Sequence, residues 1–106
     1  MEGAQGHVKI SVPQDAVAAF CRRNGVREFA LFGSILRDDF TQNSDIDILV
    51  DFLPDTKVTF FRLADMENEL RTIFQREIDL VLKDTLHRRM AAEVLASREV
   101  LYVAAQ

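Results

Sequence analysis

Within residues 13–24 the apolar side chains Val17, Phe20 and Cys21 fall at i, i+3 and i+4, behind a proline and ahead of Gly25, which predicts a helix with one buried face. Residues 26–32 (VREFALF) are β-prone and stop at Gly33-Ser34, after which residues 35–40 are expected to form a short helix. Residues 45–52 read DIDILVDF, and the alternation puts Ile46, Ile48, Val50 and Phe52 on one face of a strand and Asp45, Asp47, Leu49 and Asp51 on the other. Pro54 and Asp55 interrupt that strand. From residue 58 to 75, Leu63, Met66, Leu70, Ile73 and Phe74 repeat with helical spacing. Alternation returns at 77–82 (EIDLVL), with Ile78, Leu80 and Leu82 opposite Glu77, Asp79 and Val81. Asp84 or Thr85 is then expected to cap a helix to about Ser97 carrying Leu86, Met90 and Val94, before a short apolar end at 100–103.

Strands alternating with helices predict an α/β (α+β) domain in which helices pack on a small sheet, with strand directions left open. The chain has 106 residues, 48% hydrophobic and 28% charged, which fits one domain. We place it at 11–106, behind a flexible N-terminal arm at 1–10 that has no periodicity. Thirteen Lys and Arg against seventeen Asp and Glu give a net charge of −4, which argues against direct nucleic acid binding through phosphates. Cys21 is the lone cysteine and sits on an apolar stripe, so it is expected as a core residue in a reducing, cytoplasmic setting. The absence of an apolar signal core or of a run near the ~20 residues of a membrane span agrees with that location. Leu49 and Val81 interrupt the acidic faces, which suggests cover by a helix or by another chain in a homo- or hetero-oligomer.

Three features acquire meaning together: Gly33-Ser34 at a strand end, Asp45 and Asp47 two apart on a second strand, and Asp79 on a third. Residues i and i+2 of a strand lie roughly 6.6–7 Å apart on one face. Two carboxylates at about 7 Å repel by about 2 kcal/mol at an effective dielectric near 20, and a third acid adds to that. Magnesium, a hard cation that accepts carboxylate and phosphate oxygens, offsets the repulsion, and two such ions orient a triphosphate for attack by a hydroxyl. Gly33, with no Cβ, lets phosphate oxygens approach the backbone amides of the next turn, where Ser34 adds a hydroxyl.

The run FGSILRDDFTQNSDIDILVDF, with ten residues between Ser34 and Asp45, resembles the Gly-Ser and Asp-x-Asp signature of the DNA polymerase β-like nucleotidyltransferase superfamily. EIDLV at 77–81 is similar to the strand bearing that family's third carboxylate, and the small size resembles the minimal nucleotidyltransferases paired with HEPN proteins in toxin–antitoxin modules. Arg37 and Ser44 also match, whereas Leu36 and Asp38 replace the family's small residue and glycine. The resemblance implies that Gly33 and Ser34, with Arg37 and Ser44, bind the nucleotide and that Asp45, Asp47 and Asp79 bind two Mg²⁺ ions. It further implies that Asp79 helps deprotonate the acceptor and that ATP donates AMP to a hydroxyl, expected to be a tyrosine of a HEPN toxin, in an antitoxin role.

Two alternatives stand beside this expectation: a non-catalytic antitoxin acting by occlusion, and transfer to a small hydroxylated molecule such as an aminoglycoside. Arg37 either touches a phosphate or pairs with Asp38 or Asp39. Lys57, Lys83 and the run His87-Arg88-Arg89 are expected at solvated ends, and His87 has no partner at metal-ligand spacing.

Overall fold

The computed structural model describes residues 10–104, so residues 1–9 of the expected arm lie outside the described part. The described chain runs α1 (Gln14–Asn24), β1 (Val26–Phe32), α2 (Phe60–Phe74) after β2 (Ile46–Phe52), then β3 (Ile78–Leu82), α3 (Arg88–Ser97) and β4 (Glu99–Val103), with 3-10 turns at Gly33–Leu36 and Lys83–Thr85. Helix α1 ends on Gly25, whose φ of 68° is left-handed and whose N–H donates to the Cys21 carbonyl. Side-chain room is also lacking there, since a Cβ on Gly25 would stand 2.5 Å from Thr56 Oγ1. The Gly25 carbonyl in turn accepts from Leu53 N–H at 2.9 Å and from Thr56 Oγ1 at 3.2 Å, which ties the end of α1 to the loop after β2. Helix α2 opens with the Thr59 hydroxyl accepting from Arg62 N–H at 3.1 Å.

Two helical expectations are corrected. In place of a helix at 35–40 there is a single 3-10 turn that starts two residues earlier, at Gly33, and ends at Leu36. Ile35 is fully buried and holds the turn to the core, while Arg37 is already extended and the polar residues after it offer no apolar face to continue a helix. Helix α3 begins at Arg88 and not after Asp84 or Thr85. The Thr85 hydroxyl donates to the Leu82 carbonyl at 2.8 Å, so it closes a separate turn and does not serve as a cap.

The sheet has the order β3-β2-β1-β4. Strand β1 is antiparallel to both β2 and β4, whereas β2 and β3 are parallel and joined through α2, as a parallel pair requires. On one face Phe29, Leu31, Ile46, Ile48, Val50 and Ile78 meet Val17, Phe20 and Cys21 of α1 and Met66, Leu70 and Phe74 of α2. The opposite face bears Ala30, Phe32 and Leu49, covered by Val94 of α3 with Leu86, Leu95 and Val81 at the margin. The cover expected over Leu49 and Val81 is therefore this chain's own helix.

Beyond that apolar patch, at the Val26 end of β1, Glu28 and Asp51 face each other in register. Asp51 is 8% exposed and takes Arg27 through two nitrogens, at 2.7 and 3.1 Å. Glu28 takes Arg98 at 2.5 Å and Lys83 at 3.8 Å, so Lys83 is an ion-pair partner and not a purely solvated end.

Leu70 is fully buried between α2 and the sheet. Leu70→Ala is expected to cost about 2–5 kcal/mol, read as a lower urea midpoint at unchanged slope. Burial pushes the Cys21 thiol up to about 12. It is expected to resist thiol reagents at pH 8 in the native protein and to react fully once urea unfolds the chain.

Candidate active site

Strand pairing builds the acidic row. Asp47 stands in register with Asp79 on the parallel neighbour and with Phe32 on the antiparallel one, so the second residue of β2 lies between the third acid and the end of β1. Ile46 N–H donates to the Glu77 carbonyl at 3.0 Å, which fastens the start of β2 beside β3 and carries the exposed Asp45 into the same corner. Phe32 leads directly into Gly33, whose φ is +76°. A Cβ there would sit 2.1 Å from Asp47 Oδ2, so glycine is required both by the backbone and by the carboxylate packed against it.

Asp47 is half-buried and its carboxyl is raised above the usual range, first by desolvation and then by the charges of Asp79 and Asp45. The Ser34 backbone N–H and the Arg37 charge pull in the other direction. Asp45 and Asp79 are thus each within electrostatic reach of Asp47, which packs against Gly33 at the elbow. Among the described residues no group of three His, Cys, Asp or Glu is placed so that together they could hold a metal ion. The register pair Asp47 and Asp79 nevertheless offers oxygen donors of the kind a hard cation takes, and a cation beside Asp47 would lower its raised carboxyl.

Arg37 lines the cleft and also pairs with Asp39 at 3.3 Å, both side chains being exposed, so one of the two surface pairings left open for it is present. Ser44 stands in the loop that delivers Asp45: its Oγ accepts from Thr41 N–H at 3.0 Å. The carbonyls of Thr41 and Ser44 accept from Arg76 Nη1 at 3.1 and 3.0 Å, and the Arg76 guanidinium lies 4.6 Å from the Phe40 ring centroid. Arg76 was not singled out in the sequence, where nothing marks it as the anchor of this loop.

A cleft of about 270 Å³ opens at the elbow, with Phe32, Gly33, Arg37 and Asp47 on one side and Met90, Glu93, Val94 and Ser97 of α3 on the other. The α3 wall was missed as a site element. Its helical spacing is visible in the sequence, but the surface it faces is not.

Residues 14–102 match the family model described as nucleotidyltransferase domain. This chain belongs to that family. The nucleotidyltransferase is 40% identical over 81 residues to a protein adenylyltransferase, MntA, of Thermococcus cleftensis, a match covering 76% of this chain and 78% of that protein. A putative protein adenylyltransferase of Methanocaldococcus jannaschii is 36% identical over 62 residues, 58% of this chain and 61% of the other. Among solved structures, a putative minimal nucleotidyltransferase is 29% identical with a TM-score of 0.66, over 80% of this chain and 85% of that one. A tri-AMPylated Shewanella oneidensis HEPN toxin in complex with MNT antitoxin gives a TM-score of 0.63 at 19% identity, over 86% of this chain and 70% of that one, and shares the fold. The small mixed sheet with helices on both faces is the architecture of this nucleotidyltransferase fold.

Because the Asp47 carboxyl is raised, the folded state holds its proton more tightly than the unfolded chain, and this term turns against folding as pH rises through the two values. Asp47→Asn is therefore expected to melt above the wild type at pH 7, with the gap closing as pH falls to the ordinary carboxylate range, as scanning calorimetry of the metal-free protein would show.

Proposed function

We propose that this nucleotidyltransferase is a magnesium-dependent protein adenylyltransferase that moves AMP from ATP to a hydroxyl of a HEPN-type toxin, expected to be a tyrosine, and so acts as an antitoxin in the cytoplasm. The observation that carries this reading is the register pair Asp47–Asp79 beside the Gly33-Ser34 elbow. The relatives support it, being protein adenylyltransferases by name, with a structural neighbour in complex with an AMPylated HEPN toxin.

Asp45, Asp47 and Asp79 would hold the divalent ions, with two expected, and these when bound supply charge neutralisation for a triphosphate and its pyrophosphate leaving group. Gly33 gives the β and γ phosphates access to the backbone, and the Ser34 N–H and hydroxyl donate to them, with Arg37 as a further cationic contact at the cleft. Ser44, the fourth proposed nucleotide contact, would act from the loop before Asp45, where its Oγ accepts from Thr41 N–H. Asp79 takes the proton of the acceptor hydroxyl. The acceptor oxygen bonds to the α-phosphorus, the α–β anhydride bond breaks, and pyrophosphate departs with its electron pair.

Asp79 is exposed and lies on β3, an edge strand of the sheet. A bulky acceptor can therefore approach across that edge, which favours a side chain of another protein over a small molecule enclosed in a pocket.

The test is to incubate the protein with ATP, Mg²⁺ and the product of the adjacent gene and to weigh that product. One or more added AMP groups are expected. Asp45→Asn with Asp47→Asn should lower transfer by on the order of 10²–10³-fold or more while the fold persists by circular dichroism. An unchanged partner mass at saturating ATP and Mg²⁺ would overturn the reading. Neutralisation of the toxin that survives in the double variant would show occlusion, not transfer, to be the protective action.

A further inference from the structure

The cleft-facing side of α3 carries a carboxylate that the reaction above leaves unused. Met90, Glu93, Val94 and Ser97 stand at i, i+3, i+4 and i+7, a single stripe about 10 Å long, and all four line the cleft opposite Gly33 and Asp47. Val94 is buried against the sheet, whereas Met90 is 53% exposed at the rim. Ser97 Oγ donates to the Glu93 main-chain carbonyl at 2.9 Å, so its proton is committed to the helix. Among the described residues none forms a hydrogen bond or ion pair with the Glu93 carboxylate.

An ionised carboxylate only accepts hydrogen bonds. The phosphates of a nucleoside triphosphate offer it no donor at neutral pH and repel it. The donors of such a molecule are its ribose hydroxyls and, in some bases, an exocyclic amine. The vicinal hydroxyls form a two-point match to a single carboxylate, the way an acidic side chain meets a ribose in dinucleotide sites. One turn before Glu93, the flexible thioether of Met90 offers a polarizable surface to a flat base.

We infer that Glu93 is the sugar-selecting residue of the donor site, its carboxylate accepting from the ribose 2′- and 3′-hydroxyls while Met90 covers the base. This rests on the nucleotidyl-transfer reading and adds to it a preference for ribonucleotides over deoxyribonucleotides. The carboxylate itself is indifferent to which base is attached.

Isothermal titration calorimetry of the full chain with Mg²⁺ and either ATP or 2′-deoxy-ATP tests this without relying on turnover. The wild type is expected to bind ATP roughly 10- to 100-fold more tightly, the scale of a hydrogen bond to a charged group. Glu93→Ala should bring the two nucleotides to within about twofold of each other, weakening ATP, which loses both hydroxyl contacts, more than 2′-deoxy-ATP, which loses only the contact of its 3′-hydroxyl. Glu93→Gln, which keeps an acceptor oxygen, should retain part of the preference. The inference is overturned if Glu93→Ala leaves the ATP to 2′-deoxy-ATP ratio unchanged or weakens both equally. A shift in the ATP to GTP ratio at constant sugar preference overturns it as well, by placing Glu93 on the base. A wild type that binds and discriminates both nucleotides yet modifies no partner upholds the sugar role and removes only the transfer reading. One that binds neither removes both.

Discussion

The register of β2 is the constraint on which the acidic corner depends. Its odd and even residues serve opposite masters: Ile46, Ile48 and Val50 are fully buried under α1 and α2, while Asp47 is presented between Asp79 and the end of β1. A slip of one residue would exchange the two faces, sending carboxylates into the core and the branched aliphatics toward solvent. Each fully buried aliphatic side chain contributes about 1.5–3 kcal/mol, so three outweigh the repulsion of about 2 kcal/mol between neighbouring carboxylates. Hydrophobic burial on one side of the strand thus holds like charges together on the other.

The two ends of the acidic face treat charge differently. At the Val26 end of β1, Asp51 and Glu28 are neutralised from within, by Arg27, Arg98 and Lys83. At the Gly33 end, none of the described basic side chains forms an ion pair with Asp45, Asp47 or Asp79, although Arg37 acts on Asp47 from a distance. The apolar patch of Ala30, Leu49 and Val94 separates the two regions. Internal arginines consolidate the sheet at one end, and at the other the acids remain available to ligands from outside.

Much of this was legible in the sequence. A period of two identifies both faces of β2 and β3 residue by residue, and β1 falls on residues 26–32 as read, because strand alternation and the glycine stops are local signals. What failed was set by contacts distant in sequence. The turn after β1 is shaped by Gly33 packing on Asp47 and by burial of Ile35, neither of which propensity registers. Strand order, the parallel sense of β2 and β3 and the α3 wall of the cleft all depend on how elements meet. Phe60 and Phe61 show the converse, 90% and 86% exposed despite their apolar character.

One contact has a bearing on how the corner fills. Asp47 Oδ2 stands 2.1 Å from where a Cβ on Gly33 would lie, so the space beside the elbow is already taken up by a carboxylate. An anion brought to this turn would meet a resident charge of like sign, and the two could share the corner only if the carboxylate swung aside or a cation stood between them. Room at the elbow is thus set by the position of one side chain, and the absence of a Cβ at Gly33 is what gives that side chain its place.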